Sequence, residues 1–318
     1  MTTILDFSFY KKRIVHSLSI LIFLPLIFLS SSCQAVPSQD GGEGLKVLAT
    51  TSLVGDVVSQ VGGEKISTSV LLPLGTDPHS FSPTPRQASE IVDADLIFAN
   101  GAGLEEFLDP LLENIGGSAK VVEVSQGIKL RSMLDEESGS NQLVDDPHTW
   151  MDPNNVIVWV DNIVQSLSAL DPTNANYYLQ NGEAYKLKLK DLDGWITSEV
   201  SAIPVENRKL VTEHLVFGYF ADRYGFDQVG AIIPGFSSLA EPSAQDISQI
   251  ETAIKSLDVK AILLNLGDNA SLAERISVDT GTSLAYLYMH SLSAPGGEAA
   301  NYLDFMRHDV TSIAEALK

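Results

Sequence analysis

The sequence has 318 residues, of which 44% are hydrophobic and only 19% charged, so it can form one large domain or two modest ones with a substantial core. The 41 acidic side chains outnumber the 20 basic ones and give a formal charge of −21. This balance argues against nucleic-acid binding, because no basic stripe is available to neutralise phosphates. An acidic surface attracts cations, and it also keeps a secreted protein soluble.

The N-terminal segment has the order of a secretory signal. A basic cluster over residues 11–13 precedes an almost wholly apolar stretch over 14–29, and three serines follow. The apolar run is too short for a comfortable membrane span, and no later segment reaches the roughly 18 apolar residues that a span needs. We therefore assign residues 1–32 to a signal peptide that is removed on export.

The single cysteine, Cys33, follows those serines directly. A lone cysteine cannot form an internal disulfide, and this position resembles the lipidated first residue of bacterial lipoproteins. The usual lipoprotein motif has leucine three residues before the cysteine, where this chain has Ser30. Cleavage near Ala35 would instead release a free protein. We predict a lipid anchor at Cys33 and a flexible tether over residues 33–45, which are rich in Gly, Ser and Pro.

From residue 46 onward, short apolar runs alternate with amphipathic stretches. In the first half we predict strands over 46–53, 66–73, 95–100 and 120–125, with helices from about 54, over 86–94 and over 104–115. In the second half we predict strands over 209–213, 228–233, 261–266 and 283–289, and helices over 216–225, 243–257, 270–280 and 299–317. This alternation is typical of a doubly wound parallel sheet, and it occurs twice.

One long amphipathic stretch separates the two halves. Residues 174–203 alternate lysines with acids between two bracketing prolines, and a single helix of that length would extend about 45 Å. The predicted domains are an N-terminal α/β lobe (46–171), a linker helix (172–203) and a C-terminal α/β lobe (204–318). Within the first lobe, before His148, the acidic segment 131–146 has no periodicity and is predicted to be a surface loop or a lid.

Four of the six histidines follow a predicted strand or lie in a loop where a strand would deliver them, two in each half of the chain: His79, His148, His214 and His290. His16 belongs to the signal segment and His308 to the last helix. Ligands of open α/β sheets bind beyond the carboxyl ends of the strands. Four imidazoles meeting there would form a tetrahedral nitrogen site, which suits zinc.

The triplet Asp-Pro-His occurs twice, at residues 77–79 and 146–148. A carboxylate near a ligating histidine accepts its second ring N–H and orients the imidazole. Asp77, Asp146 and Asp152 are the candidates for this supporting role. The aromatic residues that follow His214 have helical spacing and are predicted to pack the second lobe.

Five motifs over residues 46–318 resemble the metal-binding lipoproteins of bacterial ABC transporters for zinc and manganese, the cluster A-I type of solute-binding protein. They are GTDPHSFSPTP (75–85), DPHTWMDP (146–153), HLVFGYFADRYGF (214–226), EPSAQDI (241–247) and NYLDFMRHDV (301–310). The resemblance implies two α/β lobes joined by one long helix, with the metal in the cleft between them. It also implies an ABC permease as partner, a location outside the cytoplasmic membrane in the cell envelope, and a monomer.

The resemblance further implies that His79, His148 and His214 are ligands. The family's fourth ligand is usually an aspartate near the last strand, where this chain has His290; Asp268 or Asp279 nearby are the alternatives. A fourth nitrogen favours Zn²⁺, whereas Glu213 beside His214 would be an oxygen ligand that favours Mn²⁺.

Two other classes of protein fit parts of the sequence. A secreted zinc hydrolase would use Glu213 as general base, but four protein ligands would leave no coordination position for water, and neither HExxH nor GxSxG is present. A surface adhesin that merely contains a metal fits the anchor and the tether equally well. The resemblance favours a binding protein that performs no chemistry.

Overall fold

The computed structural model describes residues 44–115, 120–134 and 143–318. The predicted signal peptide, Cys33 and all but the last two residues of the predicted tether lie outside this range. Among the described residues, no helix combines the length and the apolar character that crossing a membrane requires.

The first lobe is built mainly by alternating strands and helices, as the sequence predicts. Its elements are β1 (Leu45–Ala49), α1 (Ser52–Gly62), β2 (Ile66–Val70), α2 (Pro85–Val92), β3 (Leu96–Ala99), α3 (Leu108–Ile115), β4 (Lys120–Glu123), β5 (Ser132–Leu134), β6 (Leu143–Asp145) and α4 (Pro153–Leu170).

A long helix, α5 (Ala175–Ser201), leads to the second lobe. The elements of that lobe are β7 (Lys209–Thr212), α6 (Gly218–Tyr224), β8 (Asp227–Ala231), α7 (Ala244–Leu257), β9 (Ala261–Asn265), α8 (Ser271–Thr280), β10 (Ser283–Leu287) and α9 (Tyr302–Leu317).

The two lobes share one strand order. The first sheet runs β2-β1-β3-β4 and the second runs β8-β7-β9-β10, all with parallel pairing. In each sheet the second strand lies on one side of the first, and the third and fourth strands lie on its other side. This switch leaves a crevice beyond the carboxyl ends of the first and third strands. The predicted fold class, two doubly wound lobes joined by a long helix, is confirmed.

Helix α5 spans about 40 Å at 1.5 Å per residue and packs against helices of both lobes, namely α1 and α4 of the first and α9 of the second. Its glycine at position 182 lies against α4, where an added Cβ would come within 2.6 Å of Val164 Cγ2. Buried residues from both lobes and from α5 form one hydrophobic cluster, so the helix is part of the core that joins them.

Helix α4 was not assigned from the sequence, although the signals for it are present. Asp152 caps its first turn, Pro153 occupies the first helical position, and a buried stripe follows at helical spacing. That stripe consists of Val156, Trp159, Val160, Ile163 and Leu167.

The prediction of an irregular loop over 131–146 was wrong at both ends of that segment. Strands β5 and β6 pair antiparallel there, with Met133 opposite Val144. Alternation over only three residues per strand is too short to distinguish from a loop in the sequence. The residues between the two strands lie outside the described range.

Candidate metal site

The four predicted histidines converge between the two lobes. His79 lies in the loop after β2, His148 opens the short turn before α4, His214 follows β7 by two residues, and His290 follows β10 by three. All four side chains are buried. Each lobe therefore supplies two imidazoles at the carboxyl edge of its sheet, where ligands of this architecture bind.

The Nε2 atoms of the histidines face one another. Nε2 of His148 lies 3.3 Å from that of His79 and 3.2 Å from that of His214, and the Nε2 atoms of His214 and His290 are 3.3 Å apart. One nitrogen from each of the four rings lies within 4.8 Å of the others. Four nitrogens placed about 2.05 Å from a zinc ion would be about 3.3 Å apart in a tetrahedron, and these three distances agree with that spacing.

The two Asp-Pro-His triplets form the same local turn. Oδ1 of Asp77 accepts the backbone N–H of His79 at 3.0 Å, and Oδ1 of Asp146 accepts that of His148 at 3.0 Å. An aspartate that bonds the backbone two residues onward closes a tight Asx turn. Each triplet therefore fixes the backbone from which its histidine projects.

The two aspartates differ in what else they contact. Asp146 also approaches Nδ1 of His148 with Oδ1 at 2.8 Å, the arrangement that leaves Nε2 free for a metal. The other carboxylate, Asp77, uses its second oxygen to accept a hydrogen bond of 2.5 Å from Ser238 in the second lobe. Of the three aspartates predicted to support an imidazole, Asp146 thus contacts a ring, whereas Asp77 links the two lobes.

Asp152 serves a different purpose from the predicted one. Its Oδ1 accepts hydrogen bonds from the backbone N–H and the side chain of Asn154, at 2.8 and 2.9 Å. It is the N-cap of α4, and the motif DPHTWMDP therefore combines a turn with the start of a helix.

The histidines of the second lobe have no ring partner of this kind. Nδ1 of His214 and Nδ1 of His290 are buried and accept or donate no hydrogen bond within the described part of the chain. Their backbones are held instead: the Thr212 hydroxyl donates to the carbonyl oxygen of His214 at 2.5 Å. Sequence reasoning did not find Thr212, which carries no recognisable motif.

Burial keeps the imidazoles uncharged. It lowers the pKa of His148 and of His214 well below 6.5, and mutual repulsion within the cluster lowers both further. Burial also lowers the pKa of His290, to about 4, and that of His79. Because only a neutral imidazole can ligate, the cluster is ready to bind a metal at neutral pH.

Burial changes the pKa of the carboxylates near the cluster in the opposite direction, upward. Burial raises the pKa of Asp146 to about 7, and burial together with the neighbouring Asp268 raises that of Glu213 to about 7. A low-polarity setting favours the neutral acid.

The alternative oxygen ligands, Glu213, Asp268 and Asp279, have other partners. Glu213 shares a hydrogen bond with Asp268, whose Oδ2 also accepts the side-chain amide of Asn265 at 2.9 Å. Asp279 lies on α8, 3.8 Å from Arg275. Of the remaining histidines, His308 is partly buried against the ring of Tyr288.

A second set of residues ties the His148 loop to the second lobe. The Tyr219 hydroxyl donates to the carbonyl of Asp146 at 2.8 Å and accepts the backbone N–H of Arg131. The Arg131 guanidinium pairs with Asp222 on α6 and lies 3.6 Å from Asp146. Tyr219 was predicted only to pack the lobe, and Arg131 was assigned to a loop, so this link was not foreseen.

A cleft of about 1110 Å³ opens beside His79 and is bordered by both lobes. Its walls include Glu106, Glu123 and Asp145 from the first lobe and Phe236 from the second. Carboxylates along a cleft concentrate cations there and speed their arrival, which suits a route to the histidines.

Two sheets of identical strand order, bridged by a helix and closing on four neutral imidazoles, define a binding protein for a divalent transition metal. The comparisons with known proteins agree. Residues 47–316 match the family model described as zinc-uptake complex component A, periplasmic. The chain belongs to this family, and the resemblance seen in the sequence is confirmed.

Among curated relatives, the manganese-binding lipoprotein MntA of Halalkalibacterium halodurans is 34% identical over 96% of this chain and 99% of its own length. The manganese ABC transporter substrate-binding lipoprotein PsaA of Streptococcus pneumoniae is 28% identical over 94% of this chain and 97% of its own. This chain is accordingly a metal-binding, substrate-binding component of an ABC transporter rather than an enzyme.

Solved structures show the same likeness. The periplasmic zinc binding protein TroA of Treponema pallidum superposes with a TM-score of 0.78 at 26% identity, covering 86% of this chain and 99% of its own. The Mn-bound periplasmic metal binding protein of Candidatus Liberibacter asiaticus gives 0.76 at 28% identity, covering 86% and 100%. Relatives named for zinc and for manganese thus share this fold.

Proposed function

We propose that this protein captures Zn²⁺ outside the cytoplasmic membrane and delivers it to the permease of an ABC importer. The observation that carries the proposal is the set of four buried Nε2 atoms from His79, His148, His214 and His290, within 4.8 Å of one another. Imidazole nitrogen suits zinc, and the neighbouring N···N distances of 3.2–3.3 Å match a tetrahedral zinc site.

The proposed mechanism is capture without chemistry. Each lobe contributes two ligands, so a bound metal bridges the lobes, and α5 limits how far they separate because it packs against both. Four protein ligands complete a tetrahedron and leave no position for an activated water. The metal is cargo, and release requires the ligand pairs to move apart.

Manganese is the second candidate, because relatives at 28–34% identity are named for it. Mn²⁺ prefers oxygen ligands and more than four of them, and it lies below zinc in the usual order of affinity for nitrogen donors. A manganese site here would need to recruit a carboxylate such as Glu213 or Asp77, which lie near the histidines.

Competition between the two metals tests the proposal. The metal-free protein is offered Zn²⁺ and Mn²⁺ together, and the bound metal is counted by elemental analysis. We expect one zinc per chain, lost in His290→Ala and retained in His308→Ala, a matched change outside the cluster. Bound manganese that survives His290→Ala would overturn the zinc assignment and show that an oxygen completes the site.

We further propose the predicted processing and arrangement of the chain. Residues 1–32 act as the signal peptide, Cys33 carries the lipid, residues 33–45 form the tether, and the protein works as a monomer in the cell envelope. The relatives named as lipoproteins support the anchor. Membrane fractionation of cells that express wild type or Cys33→Ala tests it: the variant should leave the membrane fraction, and an unchanged distribution would refute lipidation.

A further inference from the structure

Helix and strand hydrogen bonds do not hold the segment that presents His290. Residues 288–292 follow the end of β10 and contain no helix or strand. The ring itself gives little anchorage, because its Nδ1 has no hydrogen-bond partner among the described residues. The position of this ligand therefore depends on what holds the neighbouring backbone.

Side chains from four other parts of the molecule hold that backbone. The N–H of Tyr288 donates to Asp309 and the N–H of Met289 donates to Asn265, both at 2.9 Å. The carbonyl of Met289, directly before His290, accepts the indole N–H of Trp150 at 3.0 Å. Ser52 accepts the N–H of Leu292 at 2.9 Å. Asp309 and Asn265 belong to the second lobe, whereas Trp150 and Ser52 belong to the first.

Trp150 is placed to connect two ligands. It lies two residues after His148, is 1% exposed, and its ring stands edge to face with the His148 ring at a centroid distance of 5.2 Å. Its own carbonyl accepts the hydroxyl of Tyr302 at 2.7 Å, which fixes the short turn on which it lies. One side chain thus touches a ligand of the first lobe and the backbone beside a ligand of the second.

We infer that Trp150 is a positioning residue for the metal, which sets the distance between His148 and His290 through its hydrogen bond to Met289. Bound metal needs both nitrogens at fixed separation, and the indole N–H is a buried link across the lobes that maintains it. This inference rests on the proposed function, because it concerns how the same four-histidine site holds its cargo.

The test is Trp150→Phe, which keeps an aromatic ring beside His148 and removes the N–H. The Met289 carbonyl is then left buried without its donor. We expect zinc to dissociate about tenfold faster, the effect of losing one buried hydrogen bond. We also expect a changed visible spectrum of the Co²⁺-loaded protein, because d–d bands report the geometry of the ligands.

The chain offers a matched control in Trp159→Phe. Trp159 is also fully buried in the same hydrophobic cluster, and its indole N–H has no hydrogen-bond partner in the described structure. The identical substitution there changes packing without removing a link. It should leave the zinc dissociation rate and the cobalt spectrum unchanged.

A double-mutant cycle separates positioning from general stability. In a His290→Ala background, Trp150→Phe should change zinc affinity no further, because the ligand it positions is gone. Should Trp150→Phe fold poorly, Asn265→Ala probes the same segment through Met289 and should likewise lose its effect when His290 is absent.

The outcomes distinguish this inference from the proposed function. A wild-type protein that takes up no zinc would refute the zinc function. A wild-type protein that binds zinc while Trp150→Phe matches Trp159→Phe in dissociation rate and cobalt spectrum would refute the positioning role alone. An equal loss from Trp150→Phe with and without His290 would also refute it.

Discussion

The two halves of the metal site hold their histidines by different means. In the first lobe, His148 has Asp146 on its second ring nitrogen at 2.8 Å, and both histidines project from Asp-Pro-His turns closed by a carboxylate. In the second lobe, Nδ1 of His214 and Nδ1 of His290 have no partner within the described residues. In that lobe, hydrogen bonds hold the backbone near each histidine, and the backbone in turn places the ring.

This difference indicates that the two lobes contribute differently to metal binding. A carboxylate that fixes the tautomer makes Nε2 of His148 a prepared donor before metal arrives. The second-lobe pair is held through its backbone, and among the described residues no carboxylate bonds to Nδ1 of either ring. We therefore expect the first lobe to dominate capture and the second to complete the tetrahedron.

The largest effect should come from removing His148. Zinc sites of four ligands bind with roughly 10–16 kcal/mol, so one ligand accounts for about 3 kcal/mol or more, a loss above a hundredfold. We expect His148→Ala to lose more zinc affinity than His290→Ala, measured by competition with a chelator of known affinity. Equal losses would remove the distinction between the two lobes.

Removing the carboxylate that supports the ring should have the next largest effect. Asp146→Asn keeps the size of the side chain and should weaken zinc binding about 10–100-fold, the usual cost of losing such a partner. The matched control is Asp152→Asn, which alters only the cap of α4. Both proteins are compared by calorimetric titration, and a similar affinity loss in the two variants would show that Asp146 acts through stability instead.

The pH dependence of zinc affinity should show that one proton is released when zinc binds. Burial raises the pKa of Asp146 to about 7, so below that pH the metal-free protein holds a proton that binding must release. Burial lowers the pKa of the four histidines, so they take up protons only at lower pH, near 4 for His290. Affinity should therefore fall about tenfold per pH unit from pH 7 to pH 5, and more steeply near pH 4, where His290 also takes up a proton.

The sign of this effect distinguishes the two groups. Because the pKa of the carboxyl group is raised, protons compete with zinc at a higher pH than for an ordinary carboxylate. Because the pKa values of the imidazoles are lowered, protons compete there only at a lower pH than for an ordinary histidine. Asp146→Asn should flatten the profile between pH 7 and pH 5. A slope of three or four protons just below pH 6.5 would show that the histidines titrate as exposed groups do.

The smallest effect should come from Glu213. Its carboxyl group shares a hydrogen bond with Asp268 in the second lobe. Glu213→Gln should change zinc affinity by less than about tenfold, the effect of one hydrogen bond. Mixed-metal loading is the measurement: a gain in zinc over manganese by a larger factor would identify Glu213 as an oxygen ligand.

Much of this protein was predictable from local sequence. The twofold alternation of strands and helices gave both lobes, because apolar periodicity is a local property of the chain. Three of the four histidines could be selected because they follow predicted strands, and parallel strands deliver such residues to one edge. His148 was selected by the repeated Asp-Pro-His triplet, because a carboxylate beside a histidine is typical of a metal ligand.

The tertiary structure decided the supports of those histidines. Asp77 and Asp146 occupy the same position in identical triplets, yet Asp146 faces a ring and Asp77 faces Ser238 from the other lobe. The Trp150 link to Met289 joins residues 139 positions apart. Such contacts leave no pattern in the sequence, because they do not depend on the chain neighbours of any one residue. They depend on how the shared core places the two lobes against each other.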